Sequence, residues 1–182
     1  VVVISNIKNM TWCTFNPKHE IKDPHYGEIL NFYLWKCPAE NTAFGSKTFK
    51  ELGWEGGYQF KALKKTILNP SLVPIPFVCV GESEFIENLK FYKQFQSYSF
   101  EEVSVFIKTG EGEMTSLFRY IRNSFAHGSF MVRKNRSSSD YFYFLESRNP
   151  QDKLRARIVL KSSTLFSALK IVNSGYDSIK SH

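Results

Sequence analysis

The segment Met114–His127, MTSLFRYIRNSFAH, constrains the fold more than any other stretch of this chain. At about 100° per residue, Met114, Leu117, Phe118, Ile121 and Phe125 fall on one narrow apolar face. The spacing predicts an amphipathic helix with one side buried. The opposite arc holds Arg122, Ala126, Arg119, Asn123 and His127. Gly128 follows, in the position where helices commonly stop in a left-handed conformation. Such a helix needs a core beneath it, and 182 residues suffice to build one without staples.

The flanking patterns extend this picture. Phe85, Leu89 and Tyr92 predict a helix over Glu82–Phe95. Ser99 and Glu102 have the spacing of a capping box, which predicts a further helix carrying Val103, Phe106 and Ile107 and stopped by Gly110. Three strand-like runs follow at Phe130–Val132, Tyr141–Leu145 and Leu154–Leu160, with a turn at Asn149–Asp152. Ser162–Thr164 can cap a last helix ended by Gly175. Before residue 80 the prolines Pro17, Pro24, Pro38, Pro70, Pro74 and Pro76 cut the chain into short pieces. Glu28–Lys36 fits a helix, Phe44–Leu68 is partly helical, and Asn69–Pro76 reads as a loop. The expected fold is mainly α, a helical bundle with a small antiparallel β-hairpin or meander near the C-terminus. Residues 1–80 are an N-terminal elaboration of uncertain structure and 81–182 the main domain, together one compact unit.

Composition narrows the function classes. Hydrophobic residues at 42% and charged residues at 23% exclude bulk disorder. Cys13, Cys37 and Cys79 are widely spaced without a CxxC, which argues against a disulfide scaffold and for a reducing compartment. The opening Val-Val-Val-Ile is too short for a signal h-region. No apolar run approaches the ~20 residues that span a bilayer, so a cytoplasmic location is expected. The net charge is +7, and Arg119–Lys161 carries all of that excess, with ten basic residues against three acidic. Most of the ten are Arg, whose planar fork grips phosphate. This field suits an anionic partner, nucleic acid first. Arg119, Arg133, Lys134, Arg155, Arg157 and Lys161 are the candidate RNA-backbone contacts. The competing reading is a solvated basic surface, or for the last three an edge strand protected by charge.

The polar helix face carries the chemistry. Asn123 and His127 are helical neighbours. Arg122 and His127 are about 140° apart on an ideal helix, so they converge only near a helix end or across two copies of the chain. His can move a proton at a hydroxyl or a leaving oxygen near neutral pH. Arg can stabilise charge on a phosphoryl group. With a ribose 2′-hydroxyl as nucleophile, that is enough for RNA transesterification without a metal. Elsewhere the signals are weaker. Cys13, His19, His25 and Cys37 have irregular spacing for zinc. Gly45–Thr48 and Trp54–Gly57 read as turns. Tyr141–Phe144 puts aromatics on both strand faces, one of which could stack on bases. Neither a metal nor a cofactor is expected.

The string Arg122-Asn123-Ser124-Phe125-Ala126-His127-Gly128 resembles the Arg-polar-x-x-x-His signature of HEPN domains (higher eukaryotes and prokaryotes nucleotide-binding). The longer YIRNSFAHGSF, followed by strands and a closing helix, is similar to the HEPN subfamily of bacterial plasmids and defence loci. The likeness covers about residues 82–175. It implies a HEPN-like helical bundle that forms a homodimer and acts as a metal-independent endoribonuclease. Arg122 and His127 would then be catalytic in a composite cleft, with Asn123 orienting them, and the products would carry 2′,3′-cyclic phosphates. It also implies a toxin or antiviral role, with an antitoxin or defence-system protein as partner. Some HEPN toxins are modified on a Tyr two residues after the His; here that position is Ser129. Catalytically silent members that bind RNA, nucleotide or a partner protein supply the alternative.

Overall fold

Val103–Ile107 is buried at all five residues and is a strand, not a helix. In a computed structural model, which describes residues 20–39, 47–68, 74–92, 95 and 99–180, this strand lies inside a five-stranded sheet. The chain opens with α1 (Tyr26–Asn31), which runs into a π turn at Phe32–Lys36, and α2 (Gly56–Leu68). Then come β1 (Phe77–Val80), α3 (Glu82–Phe91), β2 (Val103–Ile107) and α4 (Glu113–Ala126). The end comprises β3 (Phe130–Lys134), β4 (Tyr141–Arg148), β5 (Leu154–Lys161), α5 (Ser162–Ser174) and α6 (Asp177–Lys180). The strand order is β1-β2-β5-β4-β3. β1 and β2 are parallel and joined through α3, and the other neighbours are antiparallel.

This architecture is α/β, and it overturns the expectation of a mainly α bundle with a small hairpin. Two strands account for it. Val-Ser-Val-Phe-Ile fits helical spacing at 103, 106 and 107, but its β-branched and aromatic residues also suit a strand buried on both faces, where no alternation is visible. Ladders to β1 on one side and β5 on the other decide for the strand. Glu102 caps no helix; its carboxylate accepts a hydrogen bond from the Lys161 amide at 2.8 Å. The second is β1, a four-residue run just after Pro74 and Pro76 that carries no sequence expectation.

The two sheet faces carry different cores. Phe106, Tyr143, Leu145, Ala156, Ile158 and Leu160 face α1, α2, α4 and α5. That layer includes Ile29, Tyr33, Trp54 and Leu63, so the described residues before 80 share one core with the rest. Trp54 donates its indole N–H to the Val172 carbonyl at 3.1 Å, which ties its turn to α5. On the other face Val103, Val105, Phe142, Phe144 and Val159 pack against Phe85 and Leu89 of α3. No described helix is long and apolar enough to cross a membrane.

Candidate functional site

Helix α4 ends in a way that exposes one polar row. The Gly128 amide bonds the Phe125 carbonyl at 3.2 Å and the Ser129 amide bonds the Ser124 carbonyl at 2.9 Å. This is the paired closure of a Schellman motif, and it needs the positive φ of Gly128, 64°. The turn sends the chain straight into β3 and leaves His127 exposed at the helix end. Arg119, Asn123 and His127 are successive fourth residues on α4, so they share one side of the helix.

All three line a groove of about 630 Å³ between α4 and the β4–β5 hairpin end. Arg148 and Arg155 border it from the sheet, with Ser129, Glu146 and Ser147. The hairpin rim is fixed by Asn149, whose Oδ1 accepts the amides of Gln151 at 3.1 Å and Lys153 at 2.9 Å. A β-bulge shapes the floor: Ser147 pairs with Ala156 and Arg148 with Leu154, which leaves Arg155 as the extra residue in β5. A bulge re-aims the side chain it carries, and Arg155 sits beside the Tyr120 hydroxyl. Burial pushes the Tyr120 phenol up, against the pull of Arg155 and Arg119. That hydroxyl donates to the Ile107 carbonyl at 3.0 Å.

The groove's arginines are held by carboxylates. Arg119 pairs with Glu111, and Arg155 pairs with Glu82 of α3 at 3.2 Å. Arg148 donates to Glu146 at 2.7 Å and to the Asp152 carbonyl at 2.9 Å. Glu111 also borders a second groove of about 460 Å³, with Lys61, Lys64 and Lys108 on its other walls.

Several expected site residues fall elsewhere. Arg122 does not line the groove; its guanidinium donates to Asn123 Oδ1 at 3.1 Å. The five-residue separation is the cause, because within one chain α4 cannot turn both side chains the same way. Arg157 is not a surface contact. It is 2% exposed and bonds Glu146 at 3.0 Å, its cross-strand neighbour. Lys161 pairs with Asp140 at 3.4 Å, far along β5 from the groove. Arg133 and Lys134 are exposed on edge strand β3, and Lys134 lies over the Tyr141 ring. Phe142, Tyr143 and Phe144 are all buried, so none can stack on a base. Sequence reasoning missed Ser147 and Glu146, since nothing in a strand sequence marks which residues border a groove.

The metal and thiol candidates also resolve. Cys13 and His19 lie outside the described residues, as do Gly45 and Ser46. The His25 ring stacks on Phe166 at 3.9 Å, and Cys37 is buried with its Sγ 3.8 Å from the Phe118 carbonyl. No group of three or more His, Cys, Asp or Glu that could hold a metal occurs among the described residues. Partial burial and the Glu113 carboxylate push the Cys79 thiol up to about 11, which makes it a poor nucleophile at neutral pH.

No protein-family model, curated protein or solved structure matches this chain.

Proposed function

We propose that this protein is a metal-independent endoribonuclease that cleaves RNA by 2′-hydroxyl transesterification in the α4 groove. One observation carries the reading: Arg119, Asn123 and His127 share a side of α4 and line one groove with Arg148 and Arg155. The 2′-oxygen attacks phosphorus and forms a 2′,3′-cyclic phosphate as the bond to the 5′-oxygen breaks. The 2′-hydroxyl gives up a proton and the departing 5′-oxygen gains one; His127 moves a proton at one of these oxygens. Arg119 stabilises the charge that builds on the phosphoryl oxygens, and Asn123 orients the substrate from between them. Arg122 acts behind Asn123 by holding its amide. The resemblance of residues 122–128 to the HEPN signature supports RNA cleavage with His127, although it assigns the arginine role to Arg122 rather than Arg119 and the five-stranded sheet differs from a helical bundle. A homodimer, an antitoxin or defence-system partner, a toxin or antiphage role and a cytoplasmic location complete the proposal.

A second reading has its own support. Each groove arginine already faces a carboxylate, as expected of a site that binds RNA, a nucleotide or a partner protein without cutting. Incubation of labelled RNA with the protein in EDTA separates the two. Cleavage that leaves cyclic-phosphate ends and disappears in His127→Ala supports the nuclease. Salt-sensitive binding without cleavage supports the silent module.

A further inference from the structure

Ser147 is a buried side chain that the fold does not use. It is 2% exposed, and its Oγ has no hydrogen-bond partner, yet it lines the α4 groove. Strand alternation puts it on the same face of β4 as Tyr143 and Leu145, toward α4. The adjoining bulge opens the ladder next to it. A buried polar atom without a protein partner opposes folding unless a water, an ion or a ligand group meets it. Ser104 is a contrast: its Oγ is also unpartnered, but it is not among the residues lining this groove.

The groove's chemistry says what the ligand group is. The guanidiniums of Arg119, Arg148 and Arg155 only donate, so they suit phosphoryl oxygens. A hydroxyl ligand is best met by a group that both donates and accepts, and Ser147 Oγ does both. Base faces find little here: Tyr120 is 5% exposed with its hydroxyl bonded to Ile107, and the other aromatic ring among the lining residues, the His127 imidazole, is taken up by the proton transfer. Recognition therefore falls on sugar and phosphate. We propose that Ser147 is the specificity-determining residue of the groove, whose hydroxyl bonds the ribose 2′-hydroxyl beside the bound phosphate and so selects RNA over DNA. This rests on the ribonuclease reading, and it predicts cleavage with little dependence on base sequence.

The test is binding, so that it stays separate from cleavage. A fluorescent single-stranded oligoribonucleotide and the deoxy oligonucleotide of the same sequence are titrated in EDTA. The proteins are His127→Ala, which leaves the RNA intact, and His127→Ala with Ser147→Ala. The first should bind RNA at least about tenfold tighter than DNA, as one lost hydrogen bond in a closed site commands. The second should bring the ratio to within about twofold by weakening RNA alone, with a melting temperature equal or higher. An RNA preference unchanged by Ser147→Ala overturns the proposal, and so does equal binding of the two oligonucleotides by the parent. A Ser147→Ala protein that loses its fold also overturns it, because the hydroxyl would then be structural. If neither oligonucleotide binds, the ribonuclease reading fails and takes this one with it. If wild type binds with a Ser147-dependent RNA preference but never cleaves, only the ribonuclease reading fails.

Discussion

Two carboxylates are buried among the described residues, and they are partnered in opposite ways. Asp23 is met by neutral donors: the Tyr143 hydroxyl, Ser162 Oγ at 2.7 Å and the His25 amide at 3.2 Å. That cluster is closed, and it ties the segment before α1 to β4 and α5. Glu146 is met by two guanidiniums, Arg157 at 3.0 Å and Arg148 at 2.7 Å, and it borders the groove. The first arrangement satisfies a polar group so that the chain can pack over it. The second concentrates charge beside a surface that a ligand can reach. Burial alone does not separate structural from functional polar groups; what lies beyond the partners does.

The difference can be broken from either end. The largest effect is expected on the groove side. His127→Ala should lower RNA cleavage by about 10²–10⁴, the usual worth of a general acid or base, with no change in melting temperature, since His127 is exposed. Arg157→Ala removes one of the two guanidiniums described on buried Glu146 and should destabilise the fold by about 3–5 kcal/mol in urea titration. Asp23→Asn keeps the shape of the closed cluster but removes its charge, at a cost of about 1.5–3 kcal/mol by the same titration, with RNA cleavage unchanged.

The closed cluster also has a pH signature. Burial, followed by the Asp23 carboxylate beside it, pushes the Tyr143 phenol far above its ordinary range. The folded chain therefore holds this proton after an unfolded tyrosine has lost it. Stability is full below about pH 10 and falls as the pH rises beyond it. Melting followed by circular dichroism from pH 8 upward should find that fall, with a shallower slope in Tyr143→Phe. The smallest effect belongs to the exposed edge. Arg133→Ala should leave stability within about 0.5 kcal/mol and change RNA binding only through its salt dependence.

The sequence reads well where periodicity and punctuation agree. Helix α4 and its stop at Gly128 follow from local pattern, because one face of the helix is buried and the other is wet, and the β4–β5 turn follows from its Asn-Pro-Gln-Asp punctuation although both strands are buried on two faces. It reads poorly where burial is two-sided. β2 has no polar alternation to betray it, and β1 is four residues long beside two prolines. Arg157 misleads for a related reason. Its alternation with Ala156 and Ile158 suggests an outward face, and only the register with Glu146 on the neighbouring strand reveals a buried ion pair. Of the candidate site, His127 and Asn123 were legible from the helix. That Arg119 rather than Arg122 lines the single-chain groove was not legible, since it depends on which side of α4 meets the hairpin end.

The most direct measurement is kcat/KM for RNA cleavage in EDTA by Arg119→Ala and Arg122→Ala side by side. Arg119 borders the groove, whereas Arg122 is not among its lining residues and donates to Asn123. Arg119→Ala should therefore lose about a hundredfold or more, as for removal of a transition-state donor, and Arg122→Ala should lose no more than about tenfold. Abolished cleavage in Arg122→Ala with activity retained in Arg119→Ala would contradict the single-chain groove and move the chemistry to a site shared between two copies of the chain.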